Sequence, residues 1–256
     1  MQIPFGEWLP DQPEHGMKGA NVATNVYHAL GSYKRFPSLV SYSTNNIAKN
    51  AKGAGSFRDN ANNIFNFVAT KTDIFQLASG TFTSRKSGLT GGEADFFTFT
   101  QFGNYVIASN GVDQPQYYLM GTSTNFANLN AIQSAGTTPL FRVSGVVRDF
   151  LVSGNISTAT NRIHWSGIND ISAWSGKQSD LQDLPGSGGK IVHITSGEVG
   201  YVFRQNQIIR MDYVGGAVVF RLSVISPNRG AVYGQTVCQD NRDVFFYSDD
   251  GFYQIN

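Results

Sequence analysis

Pairs of short apolar runs separated by a polar turn recur along the chain. Phe65-Asn66-Phe67-Val68 precedes Ile74-Phe75-Gln76-Leu77, and Tyr105-Val106-Ile107-Ala108 precedes Gln116-Tyr117-Tyr118-Leu119. Phe150-Leu151-Val152-Ser153 precedes Arg162-Ile163-His164-Trp165, and Gly200-Tyr201-Val202-Phe203 precedes Ile208-Ile209-Arg210-Met211. Val244-Phe245-Phe246-Tyr247 and Gly251-Phe252-Tyr253-Gln254 close the series. Short runs rich in aromatic and β-branched residues, bounded by turn residues, read as strands. With Phe67, Val106, Leu151, Val202 and Phe246 as equivalent points, the steps are 39, 45, 51 and 44 residues. A hairpin repeated at that period predicts radially repeated small sheets. The expected fold is all-β and β-propeller-like, with about five hairpin or blade units, the last reading as incomplete. Period and patterning alone do not fix closure, so a β-sandwich is the structural alternative.

Residues 1–40 carry three prolines between Pro4 and Pro13 and read as an extended amino-terminal arm, with a first strand in 21–27. Residues 41–256 are the propeller-like domain. Within it, Asn110-Gly111 is a strong reverse-turn signal after Tyr105–Ser109. Residues 120–140 form a Gly/Ser/Thr/Asn-rich connection with a short helical turn expected around Asn125–Leu129. Residues 166–190 form the longest insertion, read as a loop on which a binding function would sit. The final hairpin leaves a strand without a partner, so the arm, another chain or further polypeptide is expected to complete that sheet.

Composition agrees with an all-β chain that has a core: 41% apolar residues, 14% charged, 28 Gly, 19 Phe and 11 Tyr. The balance of 19 basic against 18 acidic residues gives a net charge of +1, which argues against general capture of a nucleic-acid backbone. The single cysteine, Cys238, can form no intrachain disulfide and reads as a buried small apolar residue beside a strand. No apolar run is long enough to span a bilayer as a helix.

Candidate chemistry is sparse. His15, His28, His164 and His193 have no zinc-site spacing. A carboxylate pair across a funnel could act on a sugar, with Asp149, Asp170, Asp180, Asp183 and Glu198 as candidates. Their places near turns equally fit capping roles. They support the alternative reading, a carbohydrate-binding or glycoside-hydrolysing propeller. The stretch Gly186-Ser187-Gly188-Gly189-Lys190 lacks the spacing of a phosphate-binding loop and reads as a flexible turn. Trp165 and Trp174 bracket Ser166–Ala173; facing outward, they would anchor an interface, and facing inward, they would be blade core and loop pin. Arg148-Asp149 reads as a local ion pair that orients a turn, and Arg229 as a similar one. Lys34-Arg35 reads as a surface pair flanked by aromatics.

Several segments together resemble a phage tail protein family. They are Pro4-Phe5-Gly6-Glu7-Trp8-Leu9-Pro10-Asp11, Asn25-Val26-Tyr27, Tyr33-Lys34-Arg35-Phe36-Pro37, Phe99-Thr100-Gln101-Phe102-Gly103-Asn104 and Ala108-Ser109-Asn110-Gly111-Val112-Asp113. The most specific stretch is Val147-Arg148-Asp149-Phe150-Leu151-Val152-Ser153-Gly154-Asn155. Asn161-Arg162-Ile163-His164-Trp165-Ser166-Gly167-Ile168-Asn169-Asp170, Trp174 and Gln178-Ser179-Asp180-Leu181-Gln182-Asp183-Leu184-Pro185 also belong to it. The chain is similar to the tail accessory or packaged-DNA stabilisation proteins of short-tailed phages, also described as tail nozzle or hub proteins. The resemblance implies a β-propeller structural protein of the virion, assembled in the host cytoplasm. It implies identical subunits in a ring that extends or seals the tail channel and stabilises packaged DNA. Implied partners are the tail adaptor, a distal needle, fibre or spike, and non-specific contact with genomic DNA. No enzymatic activity, catalytic residue, cofactor or metal comes with it. Arms and loops would make the contacts, with Trp8, Lys34, Arg35, Arg148, Asp149, Arg162, Trp165, Asp170, Trp174 and Lys190 as candidate interface residues.

Overall fold

The computed structural model describes residues 6–11, 13, 15, 19–29, 32–92, 94–240 and 243–255. The chain divides into two compact units, Met1–Tyr42 and Ser43–Asn256. In the first, β1 (Val26–Ala29) pairs with β2 (Ser32–Arg35) as an antiparallel hairpin. The strand starts later than the 21–27 pattern predicts, because Asn25 sits in the left-handed region at φ 56°. Nor is the arm simply extended. The Leu9 amide donates to the Ala20 carbonyl at 2.8 Å and the Ala20 amide to the Glu7 carbonyl at 2.9 Å, folding the segment back on itself.

The second unit is a succession of five antiparallel sheets. Blade 1 is β3 (Ala51–Arg58), β4 (Ile64–Thr70), β5 (Ile74–Ala78) and β6 (Thr81–Lys86). Blade 2 is β7 (Thr98–Phe102), β8 (Tyr105–Ser109), β9 (Gln116–Leu119) and β10 (Ala127–Asn128). Blade 3 is β11 (Phe141–Val147), β12 (Phe150–Ile156), β13 (Ala159–Trp165) and β14 (Asp180–Asp183). Blade 4 is β15 (Ile191–Ile194), β16 (Val199–Arg204), β17 (Ile208–Tyr213) and β18 (Phe220–Ser226). Blade 5 has three strands, β19 (Cys238–Asp240), β20 (Asp243–Ser248) and β21 (Gly251–Ile255). Strands pair in sequence order within each blade, and the first strands β3, β7, β11 and β15 lie side by side. This is a five-blade β-propeller arrangement, and the five hairpins of the sequence pattern are the second and third strands of the five blades.

Alternation along these strands loads both faces of the middle sheets. In β8, Val106 and Ala108 join a cluster with Phe67 and Ile74 of blade 1, while Ile107 between them joins Phe141 and Leu151 of blade 3. Period-two geometry requires this division once both faces are covered. A third cluster joins Phe150, Val152 and Ile163 of blade 3 to Val202, Ile209 and Met211 of blade 4. A fourth joins Phe203 and Ile208 to Val244 and Phe246 of blade 5. The equivalent points differ in one respect. Val106, Leu151, Val202 and Phe246 face the preceding blade, whereas Phe67 faces the following one.

Three sequence expectations are corrected. The 166–190 insertion is not one loop, since β14 adds the fourth strand to blade 3, with Arg162 opposite Asp183 and Trp165 opposite Asp180. Cys238 is exposed rather than buried. The connection at 120–140 contributes β10 and a short 3-10 helix, Leu129–Ile132, slightly beyond the expected turn.

Candidate functional site

A cavity of about 420 Å³ opens where the first strands of the blades converge. Thr98 of β7, Arg142 and Val143 of β11, and Val192 and His193 of β15 line it, with Tyr233, Gly234 and Gln235 from the approach to blade 5. Asn155, Lys190 and Gln205 supply further polar groups. Among the described lining residues there is no carboxylate. Arg142 is held by Asp95, with Nη2 donating to Oδ1 at 2.6 Å. Partial burial pushes the Asp95 carboxyl up, but the bond and charge of Arg142 and the Gly92 amide outweigh it and hold the group below its usual range. Burial pushes the His193 imidazole down to about 4, so it is neutral near pH 7. Asn155 donates through Nδ2 to the Ile191 carbonyl at 2.8 Å, tying blade 3 to the first strand of blade 4.

Beside this cavity the glycine-rich stretch is a clamp rather than a flexible turn. It wraps the guanidinium of Arg204, a side chain that is almost fully buried. Nε donates to the Gly189 carbonyl at 2.9 Å, Nη1 to the Pro185 carbonyl and to Gln207 Oε1 at 2.7 Å each, and Nη2 to the Gly186 carbonyl at 3.2 Å. A β-carbon at Gly188 would stand 2.7 Å from Gln207 Cβ and 2.9 Å from Arg204 Cζ, so only glycine lets the loop close this tightly. Blade 5 approaches through a similar device, because a β-carbon at Gly234 would lie 2.0 Å from the Val192 carbonyl oxygen.

The sequence-predicted residues are dispersed. In the first unit, Trp8 is half exposed, with Nε1 donating to the Asn21 carbonyl at 3.3 Å, and Lys34 and Arg35 are exposed on β2. Arg148 does not pair with Asp149. It occupies a left-handed turn position at φ 51°, its amide donates to the Gly197 carbonyl at 2.8 Å, and its side chain meets Glu198 at 3.4 Å and the Tyr213 ring at 4.9 Å. The neighbouring Asp149 is exposed, and its carbonyl accepts from the Asn169 amide. Arg229 reaches Asp250 and lies over the Tyr253 ring at 4.3 Å. Arg162 makes a two-pronged pair with Asp183 at 2.6 and 2.8 Å. Asp170 pairs with Lys177 at 2.6 Å and caps Ser172.

Neither tryptophan of the 166–174 stretch faces outward. Trp165 is 3% exposed and donates through Nε1 to the Gln178 carbonyl at 2.8 Å. Trp174 is also 3% exposed, packed edge-on to His164 at 5.1 Å and against Phe141 at 6.1 Å. They are blade core and loop pin, the inward of the two readings the sequence left open, and neither is an exposed anchor. Burial pushes the His164 imidazole below its ordinary value, and its Nε2 donates to the Trp174 carbonyl at 3.1 Å. Of the proposed interface residues only Lys190 lines the cavity. The candidate carboxylates do not converge there; Asp170, Asp183 and Glu198 each face a separate basic partner. Among the described residues, no group of three His, Cys, Asp or Glu side chains could hold a metal. Among the described residues, no helix is long and apolar enough to cross a membrane.

No protein-family model and no curated protein matches the chain. Solved structures do. A catalytically inactive virginiamycin B lyase from Staphylococcus aureus, in complex with quinupristin, is similar with a TM-score of 0.53 at 11% identity, over 88% of this chain and 69% of that one. The extracellular domain of a hybrid two-component system from Bacteroides thetaiotaomicron is similar with a TM-score of 0.50 at 12% identity, over 83% of this chain and 28% of that one. The fold is that of a β-propeller. At these identities the likeness is one of fold alone. This propeller therefore spans about two thirds of the lyase chain and little more than a quarter of the other.

Sequence reasoning missed Arg204, Arg142 and Asp95. A basic residue ending an apolar strand at Val202-Phe203-Arg204, with a glycine-rich stretch just before that blade, was the available signal for the clamp. Arg142 and Asp95 lie far apart in sequence and had none.

Proposed function

We propose that the chain is a structural subunit of a short phage tail, acting through assembly rather than catalysis. It extends or seals a channel and helps retain packaged DNA. The observation that supports this best is the series of blades whose side-chain hydroxyls link blade to blade. Thr100 Oγ1 bonds Ser144, Ser109 bonds the Arg142 carbonyl, and Ser196 bonds the Val146 amide, each crossing between neighbouring blades. Such cross-links stiffen a scaffold and leave few groups for chemistry. The motifs shared with tail proteins supply the biological setting. Identical subunits, an adaptor and a distal needle, fibre or spike are the partners in this reading, with the virion as its place. A near-neutral chain suits a channel through which DNA must slide, since each basic contact to phosphate adds a salt-dependent hold.

The carbohydrate-acting alternative needs converging carboxylates, and of the candidates Asp170, Asp183 and Glu198 instead face separate basic partners. Mass spectrometry of purified particles tests the tail reading: the chain is expected at a fixed copy number per particle. Intact, infectious particles that lack it would refute the proposal.

A further inference from the structure

The axial cavity carries polar groups that the blade-to-blade links do not use. Arg142 and Lys190 bring cations to its wall, and none of the described lining residues is a carboxylate. Arg142 gives one Nη2 bond to Asp95, and the charge of Lys52 also acts on that carboxyl. Two cations thus share one carboxylate, and Lys190 adds a further positive charge to the wall. Lys190 is exposed, and among the described residues its ammonium has no hydrogen-bond or ion-pair partner. Its backbone is fixed all the same. The Lys190 amide donates to Gln205 Oε1 at 3.3 Å, and its carbonyl accepts from the Gln205 amide at 3.2 Å. A lysine held at its backbone and unpartnered at its tip is placed for a partner that the chain does not supply. His193 repeats the pattern. Its ring stands edge-on to Phe203 with centroids 6.5 Å apart, and among the described residues neither ring nitrogen is hydrogen-bonded. A neutral imidazole offers one donor and one acceptor, and polar groups inside a fold are ordinarily paired.

The rest of the wall is largely apolar. Phe96 and Tyr233 present large exposed rings to it, and Phe97, Val143 and Val192 lie between them and the polar groups in kind if not in sequence. Small-molecule sites combine such walls with a few polar groups in volumes of about 300–1,000 Å³, and this cavity measures about 420 Å³. Thr98, Arg142, Val143, Val192 and His193 sit on the first strands of blades 2, 3 and 4, which lie side by side, so the wall is preformed. We propose that the cavity binds a small organic anion, a carboxylate or phosphoryl head on a flat apolar body. Lys190 meets the head, and Arg142 joins it with guanidinium donors beyond the one that Asp95 takes. His193 supplies a further hydrogen bond, and Phe96 and Tyr233 cover the body. A cationic ligand would find no carboxylate on the wall, and a neutral one would leave the Lys190 ammonium unpaired.

This site goes beyond the tail reading and does not depend on it, and its test needs only purified protein. The probes are benzoate and phenyl phosphate, which share a ring and differ in the head, and benzamide, which keeps the shape of benzoate without its charge. Titration calorimetry should show saturable binding of at least one anion with a Kd on the order of 1 mM, and benzamide binding at least about tenfold more weakly. Tighter binding of benzoate assigns a carboxylate head, and tighter binding of phenyl phosphate a phosphoryl head; either supports the site. Lys190→Gln should weaken binding of that anion about tenfold, with circular dichroism confirming the fold. Arg221→Gln removes the same charge from an exposed position of β18, outside the cavity lining, and should leave binding unchanged. The inference is overturned if neither anion saturates the protein by ~20 mM, if benzamide binds as tightly as the anions, or if the two variants lose binding equally. Any of these outcomes leaves the tail reading untouched, and particles that lack the chain would leave this site untouched.

Discussion

Removing the guanidinium of Arg204 should loosen the junction of blades 3 and 4 more than any surface change. Arg204→Met keeps much of the apolar stem and deletes four hydrogen bonds, to the Gly189, Pro185 and Gly186 carbonyls and to Gln207 Oε1. Bonds from a charged donor are worth about 1.5–3 kcal/mol each when formed. The native state offsets part of that, because burying a cation costs several kcal/mol. Burial also lowers the arginine pKa, consistent with a desolvated group held only by neutral acceptors. In the variant, the Pro185 and Gly186 carbonyls belong to exposed residues and can turn to water, whereas Gln207 is 8% exposed and cannot readily do so. The net loss should be roughly 2–4 kcal/mol, or a fall in Tm of about 5–10 °C for a domain of this size. Arg204→Lys should recover less than half, because an ammonium cannot match the spread of the guanidinium fork. Urea unfolding followed by tryptophan fluorescence gives the stabilities, and limited proteolysis reads cleavage within 185–190. A methionine variant with an unchanged midpoint and an uncut loop would show that the clamp holds nothing.

Trp174→Ala should destabilise the monomer by about 3–5 kcal/mol, measured by urea unfolding. A loss below ~0.5 kcal/mol, the range of ordinary surface changes, would restore the exposed-anchor reading. For His193, the folded pKa of about 4 lies below an unfolded value near 6.5, so the unfolded chain binds the extra proton between them. Its stabilising contribution is complete above about pH 6.5 and is lost as pH falls toward the folded value. His193→Gln should therefore flatten the stability-versus-pH curve between these values relative to wild type, and parallel curves would count against a buried neutral ring. Gly234→Ala should raise hydrogen exchange in β19 and at Val192, because its β-carbon meets a carbonyl oxygen; unchanged exchange at both would mean the approach is looser than described.

The sequence pattern located the second and third strands of every blade because those strands are buried on one or both faces and carry aromatic or β-branched runs. It missed β14, whose Asp180-Leu181-Gln182-Asp183 is exposed throughout and lacks an apolar alternation. Its pairing is set by neighbours such as Arg162, not by its own pattern. Burial was harder to read than strand position. Cys238 is a residue type usually found inside, but on the first strand of blade 5 it is exposed, while Trp174 sits in a polar stretch and is drawn under it by Phe141 and His164. The axial cavity was illegible because its lining comes from the starts of four separate blades, and no local spacing records that convergence.

The serial arrangement of the four apolar clusters has a consequence for how the molecule comes apart. Among the described residues, each of blades 2, 3 and 4 shares apolar clusters with two neighbouring blades, and each of blades 1 and 5 with one. In such a nearest-neighbour ladder, free energy is distributed as coupling between units rather than stored in each unit. Opening of such a ladder begins at whichever blade has a neighbour on one side only, and blades gripped on both sides lose their order later. Whatever caps an end blade does more than enlarge the molecule: it turns a terminal unit into an interior one.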